Sequence, residues 1–159
     1  MVMIVLAMSL PFVSHAAHTN IYLDSFQNIR WEDNLTGEIY YNFPTNAPLS
    51  YSYCVDKHTS MVVPGTYYAE TLSIAGNTGL LKAAWLVDNH AYSEKGAYGW
   101  WNGHNYDAKD TGVAVQLAVW NVTNQSVMVN NGYLYLLNLA NKFVAEVNGV
   151  SPSVLNTYA

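Results

Sequence analysis

A cysteine that could act as a nucleophile is the first feature of interest in this sequence. Cys54 is the only cysteine among the 159 residues. It lies in the tripeptide Tyr53-Cys54-Val55, near the end of a stretch whose alternating side chains predict a β-strand over residues 49–56. The thiolate is the reactive form of the side chain, and an ordinary cysteine has a pKa of about 8.5. A single cysteine is most often a small buried apolar residue, so Cys54 alone does not indicate a function.

A glutamine in an unusually apolar helix is the second feature. Gln116 is surrounded in sequence by valine, leucine and alanine over residues 113–119. The pattern predicts a helix over residues 112–122, capped by Asp110 or Thr111. A buried amide without partners costs roughly 1–3 kcal/mol, so Gln116 needs a reason to lie there. Trp120 follows four residues later and therefore lies on the same helix face.

The composition and the first residues indicate an exported protein. Hydrophobic residues make up 51% of the chain, charged residues 11%, and the net charge is −5. This acidic balance, without any basic run, argues against a nucleic-acid partner. An apolar run followed by Ser14-His15-Ala16 predicts a signal peptide over residues 1–17 and a mature domain over residues 18–159. A single cysteine cannot form an internal disulfide in an oxidising compartment, which makes Cys54 notable.

The pattern along the chain predicts an α+β fold. Extended, aromatic-rich stretches come first and predict strands over residues 20–26, 37–43, 49–56 and 65–72. Apolar residues at helical spacing predict helices over residues 79–89 and 112–122, and a third from Asn130 or Asn131 to Gly149. Residues 90–109, rich in Gly, Tyr, Trp and Asn, are expected to form a loop. The last residues suggest a strand, and hence a domain truncated at its C-terminal end.

The two reactive segments together resemble the thioester domains of bacterial surface proteins. That family carries an aromatic residue or Leu, then Cys and an apolar residue, in its first half, which Tyr53-Cys54-Val55 matches. Its second half carries an apolar residue, Gln, two residues, an apolar residue and Trp, which residues 115–120 match. The family often has Thr before the Gln, where this chain has Val115. The resemblance implies an antiparallel β-sandwich or barrel carrying Cys54, packed against a small helical subdomain carrying Gln116.

The resemblance also implies a chemistry and a location. The Cys54 sulfur would join the Gln116 carboxamide carbon as an internal thioester, with loss of ammonia and without a cofactor. A primary amine, such as a lysine on a target protein, would then displace the sulfur and form a stable amide. The implied function is a secreted or cell-surface, adhesin-like module that reacts once and is not an enzyme. No metal or nucleic acid is expected as a partner.

Several other residues are candidates to support this chemistry. Only about 0.04% of lysine is the free amine at pH 7, so a base would help. His90 and His104 are candidates for that base, although ordinary histidines of a loop fit the sequence as well. Placing Cys54 near the N-terminus of the Gln116 helix would favour the thiolate. Tyr53, Trp120, Trp100 and Trp101 are the expected aromatic cover against water, and ordinary core packing would account for them equally.

A cysteine enzyme is the main alternative. Cys54 followed by His90 or His104 and then Asn or Asp matches the order found in several cysteine hydrolases and transglutaminase-like enzymes. Those nucleophiles usually lie at a helix N-terminus, which the sequence around Cys54 does not predict. A metal site is less favoured still, because no two of the five histidines have the spacing of metal ligands.

Overall fold

The computed structural model of the protein describes residues 19–31, 34–42, 50–55, 64–69, 73–125, 127 and 131–159. Within these residues the strands come mainly before the helices, which confirms the α+β prediction. The predicted signal peptide, residues 1–17, lies outside the described residues.

Four strands form one antiparallel sheet. In chain order they are β1 (Thr19–Trp31), β2 (Asn34–Asn42), β3 (Ser50–Ser52) and β4 (Gly65–Ala69), and their order in space is β3-β2-β1-β4. β1 and β2 form the longest pairing, from Tyr22 opposite Asn42 to Trp31 opposite Asn34. The predicted sandwich or barrel is wrong for the described residues, because this four-stranded sheet is open and a helix rather than a second sheet packs on it.

The segment predicted as a loop, residues 90–109, contains regular structure. A short helix, α2 (Tyr92–Lys95), is followed by a hairpin of β5 (Gly99–Trp101) and β6 (His104–Tyr106). The hairpin turns through Asn102 and Gly103, whose φ angles are 49° and 80°. Two successive positive φ angles are typical of a two-residue hairpin turn, and Asn-Gly is the sequence that adopts them most readily.

Three long helices make up the second half of the fold. They are α1 (Thr78–His90), α3 (Ala108–Val122) and α4 (Leu134–Asn148). α3 begins four residues earlier than predicted, because Asp107 rather than Asp110 or Thr111 caps it by accepting the backbone N–H of Asp110. A 3₁₀ turn precedes α4, and Gly149 ends that helix as predicted.

The central helix is α3. It packs on β1 and β2 on one side and against α1 and α4 on the others. Its residues are consequently buried without interruption from Asp110 to Trp120. A helix that is apolar around its whole circumference is expected in such an enclosed position. This arrangement places Gln116 in the protein core.

The end of the chain is helical, so the predicted C-terminal strand is wrong. α5 (Pro152–Leu155) is followed by a 3₁₀ turn over Asn156–Tyr158. Ser151 caps α5 and Pro152 occupies its first turn, a combination that favours a helix start. None of the helices in the described part of the chain combines the length and the apolar character that crossing a membrane requires.

Candidate functional site

The structure brings Cys54 and Gln116 together across 62 positions of sequence. The backbone N–H of Cys54 donates to Gln116 Oε1 at 2.8 Å, and Gln116 Nε2 donates to the backbone carbonyl of Cys54 at 2.6 Å. Gln116 is only 1% exposed, so these two bonds account for how its amide is tolerated in the core. The sequence had marked both residues as candidates, and their contact is a property of the tertiary structure.

The orientation of the Gln116 amide follows from this pairing. A backbone N–H can only donate and a backbone carbonyl can only accept. Exchanging Oε1 and Nε2 would place oxygen against the carbonyl and nitrogen against the N–H, which would lose both bonds. The carboxamide oxygen is therefore held at the Cys54 N–H, and the amide nitrogen at the Cys54 carbonyl.

The two hydrogen bonds also position the carbon that a nucleophile would attack. They close a ring in which the Gln116 amide carbon lies opposite Cys54 Cα. The two hydrogen bonds therefore hold the Gln116 amide carbon beside the residue that carries the thiol.

The residues on either side of Cys54 contact the core and the end of α3. The sequence pattern predicted that Cys54 lies within a strand. β3 instead ends at Ser52, so Cys54 lies just after the sheet. Tyr53 is 2% exposed and belongs to the core. The Val55 carbonyl lies 3.4 Å from Thr123 Oγ1, whose hydroxyl is closer to the Val119 carbonyl at 2.9 Å. Thr123 was not singled out from sequence, because a hydroxyl bonded to a preceding helical carbonyl is common.

The dipole of α3 is not placed to favour the Cys54 thiolate. Gln116 lies in the middle of the 15-residue α3, whereas the field of a helix terminus fades within its first turn. Cys54 pairs with the middle of α3, so it does not have the position near the helix N-terminus that would favour its thiolate.

The four aromatic residues expected to cover the site divide into two groups. Tyr53 and Trp120 are buried, and Trp120 lies one helical turn from Gln116. Trp100 is 75% exposed on the β5–β6 hairpin. Trp101 packs against the rings of Tyr98 and Tyr106, within the hairpin region.

His90 belongs to the packing between α1 and α4. Its ring stacks on Phe143 with the centroids 4.0 Å apart, and it meets Trp85 edge-on. Nε2 lies 3.0 Å from Glu146 Oε2, an ion-pair distance without a formed hydrogen bond. Burial lowers the pKa of His90, and the Glu146 carboxylate opposes that shift. The structure does not pair His90 with Cys54 or Gln116.

His104 belongs to a polar cluster at the start of α3. Its Nε2 lies 3.4 Å from Asp110 Oδ2, and its ring packs against Tyr135 with a centroid distance of 3.9 Å and a tilt of 31° between the rings. The Tyr135 hydroxyl donates to Asp110 Oδ1 at 3.1 Å, and burial together with the Asp110 charge raises the pKa of Tyr135. Three elements supply this cluster, so no local sequence pattern could reveal it. His104, like His90, is not paired with Cys54 or Gln116.

A cleft of about 480 Å³ borders the residue after Cys54. Its walls are Val55, the start of α1 and the end of α3, and they include Lys82 and Thr123. No group of three or more His, Cys, Asp or Glu side chains is arranged to bind a metal ion in the part of the chain that the structure describes.

Comparison of the chain with protein-family models, with curated proteins and with solved structures gave no match.

Proposed function

We propose that this chain is an exported binding domain in which Cys54 and Gln116 form an internal thioester that captures primary amines. The observation that carries the proposal is the pair of hydrogen bonds between the Cys54 backbone and the buried Gln116 amide. The resemblance of the two segments to the thioester domains of bacterial surface proteins supports the same pairing. It also implies that the amine is carried by the target of an adhesin-like domain, for example on a lysine.

Formation of the thioester is a substitution at the Gln116 amide carbon. The Cys54 thiolate attacks this carbon, a C–S bond forms, and the carbonyl electron pair moves onto Oε1. The Cys54 N–H already donates to Oε1 and would stabilise the negative charge that develops there. When the carbonyl re-forms, the C–N bond breaks, and the nitrogen leaves as ammonia after taking up the proton that the thiol lost. Holding the reactants together removes the entropic cost of their encounter.

Capture of an amine reverses the roles of the groups. The amine nitrogen attacks the same carbon, a C–N bond forms, the C–S bond breaks, and the amine proton passes to the Cys54 sulfur. The products are an amide at Gln116 and a thiol at Cys54. An amide is a much poorer acyl donor than a thioester, so the capture of an amine is favoured over its reversal.

The burial of the site supports a thioester that survives in water. Gln116, Tyr53 and Trp120 are 1%, 2% and 5% exposed, which keeps bulk solvent from the carbonyl carbon. Cys54 is only partly buried, which leaves one side of the site open to an incoming amine. The cleft beside Val55 offers space for the chain that carries this amine.

Intact mass measurement of the purified, folded chain tests the proposal. A thioester lowers the mass by about 17 Da through loss of ammonia, and methylamine then adds about 31 Da once. A Cys54→Ala chain should show neither change, and peptide mapping should locate the methylamide at Gln116. An unshifted mass in fresh protein that does not react with methylamine would refute the thioester. Repeated consumption of an amine or acyl substrate by one protein molecule would instead favour a cysteine enzyme.

A further inference from the structure

The indole N–H of Trp120 is a buried donor without an acceptor. Trp120 is 5% exposed, and its Nε1 has no hydrogen-bond partner within the described part of the chain. More than nine in ten buried polar groups in proteins have a partner, and leaving one unpaired costs about 1–3 kcal/mol. A phenylalanine would fill an apolar core position without this cost, so the N–H requires an explanation.

Trp120 lies one turn after Gln116 on the same face of α3. Residues four apart lie on the same helix face, with their Cβ atoms about 5–6 Å apart. Long side chains on a helix lean towards its N-terminus, over the preceding turn. The preceding turn on this face carries Gln116, whose Oε1 accepts the Cys54 N–H. A carbonyl oxygen has two lone pairs, so Oε1 can accept a second bond.

We propose that Trp120 Nε1–H is the second donor of an oxyanion hole in which the Cys54 backbone N–H is the first. This inference rests on the proposed thioester. When the sulfur or an amine attacks the Gln116 carbon, the carbonyl electron pair moves onto Oε1, and both N–H groups then donate to the negatively charged oxygen. The charge disappears when the carbonyl re-forms and ammonia or the Cys54 thiolate leaves.

An unsatisfied donor in the resting protein suits this role. A hydrogen bond that is made only in the transition state lowers the barrier, whereas one made equally in the ground state does not. The water-excluded position of Trp120 strengthens its effect on a developing charge. Removal of one oxyanion-hole donor in other enzymes slows the reaction about 10²–10³-fold.

Replacing the indole N–H by sulfur tests the proposal with little change of shape. We suggest 3-benzothienylalanine at position 120, introduced by codon suppression, with Trp120→Phe as a second variant. The rate constant for methylamine uptake is measured by intact mass, counting only molecules that carry the thioester. We expect about a 100-fold decrease in both variants, with a melting temperature close to that of the parent. The same replacement at Trp85, which packs against His90 on α1, is the matched control and should leave the rate unchanged.

The outcomes separate this inference from the proposed function. A folded variant that forms the thioester at least 10-fold more slowly than the parent, or not at all, also supports the N–H donor. A methylamine rate within two-fold of the parent in either folded variant would overturn it while leaving the thioester intact. If the mass of the parent itself is not lowered by about 17 Da, the mass of one ammonia, the proposed function is refuted instead.

Discussion

A glutamate at position 116 should make the stability of the protein depend on pH in a way that only the observed contact explains. The substitution is best made in a Cys54→Ala chain, because alanine keeps the backbone N–H and carbonyl that bind Gln116 but cannot form a thioester. A protonated glutamate can reproduce both hydrogen bonds, since its hydroxyl donates to the residue 54 carbonyl. An ionised glutamate can only accept, and it would place a negative charge against that carbonyl in a position that is 1% exposed.

The size of the effect follows from the burial and from proton linkage. Burial and the facing carbonyl both disfavour the ionised form, so the pKa of the glutamate is expected to rise in the folded state. The folded protein then holds its proton to higher pH than the unfolded chain. The stability that the proton provides is complete below about pH 4 and is lost as the pH rises through the raised pKa. Within that window the free energy of unfolding should fall by about 1.4 kcal/mol for each pH unit.

Urea unfolding at several pH values measures this dependence. The reference is the Cys54→Ala chain, and subtracting its free energy of unfolding at each pH removes the contribution of other titrating groups. Gln116→Met in the same background is the matched control. It keeps the length of the side chain, leaves the two backbone groups without their partner, and should cost about 1–3 kcal/mol at every pH.

The difference between the glutamate and methionine variants decides the question. Near pH 4 it should favour glutamate by about 1–3 kcal/mol, and it should shift towards methionine as the pH rises to 7. An equal difference at pH 4 and pH 7 would show that the residue 116 side chain is solvated and does not pack against the residue 54 backbone. The contact on which the proposed function depends would then be wrong.

Three further predictions concern the cross-link, a histidine and a close approach of two helices. A thioester would close a loop of 62 residues. Opening the thioester with methylamine should therefore lower the free energy of unfolding, measured by urea titration, by about 4 kcal/mol in the chain-entropy model. Methylamine should cause no such change in a Cys54→Ala chain. Because burial lowers the pKa of His90, the unfolded chain binds more protons than the folded protein, and stability should fall as the pH drops from about 6.5 to the lowered pKa. His90→Gln should remove this part of the dependence of the melting temperature on pH. An unaltered dependence would contradict the burial of His90 between α1 and α4. A Cβ at Gly79 would lie 2.8 Å from the Val122 carbonyl oxygen. The free energy of unfolding of Gly79→Ala should therefore be about 1–3 kcal/mol lower than that of the parent, although alanine has the better helix propensity. A variant that resists urea better than the parent would mean that α1 and α3 are farther apart.

Local sequence patterns predicted most of the secondary structure correctly. The strands in the first half, the three long helices and the end of α4 at Gly149 all follow from side-chain alternation, helical periodicity and capping residues. The prediction failed where two local signals competed. Aromatic residues and glycines suggested a loop over residues 90–109, yet the Asn102-Gly103 turn pairs two short strands there. Likewise, Asp107 caps α3, whereas the sequence had suggested Asp110 or Thr111.

The arrangement of the layers could not be predicted from these patterns. Alternation shows that a strand has one apolar face but not whether a sheet or a helix will cover it. In the described residues α3 covers the sheet, so the expected sandwich or barrel is replaced by one open sheet with a helical layer. The roles of His90 and His104 were equally undetermined, because their partners come from distant elements. The structure places one between α1 and α4 and the other beside Asp110.

The sequence by itself determined that Cys54 and Gln116 are unusual. One is the only cysteine of the chain, and the other is an amide within an apolar helix. Only the tertiary structure decided that the Gln116 amide pairs with the backbone of Cys54, because such a contact depends on how the sheet and α3 pack. Among the described residues it also left the Trp120 N–H buried without an acceptor. Sequence periodicity places a residue on a face of its own helix, whereas the partner across the core is set by the packing of the whole fold.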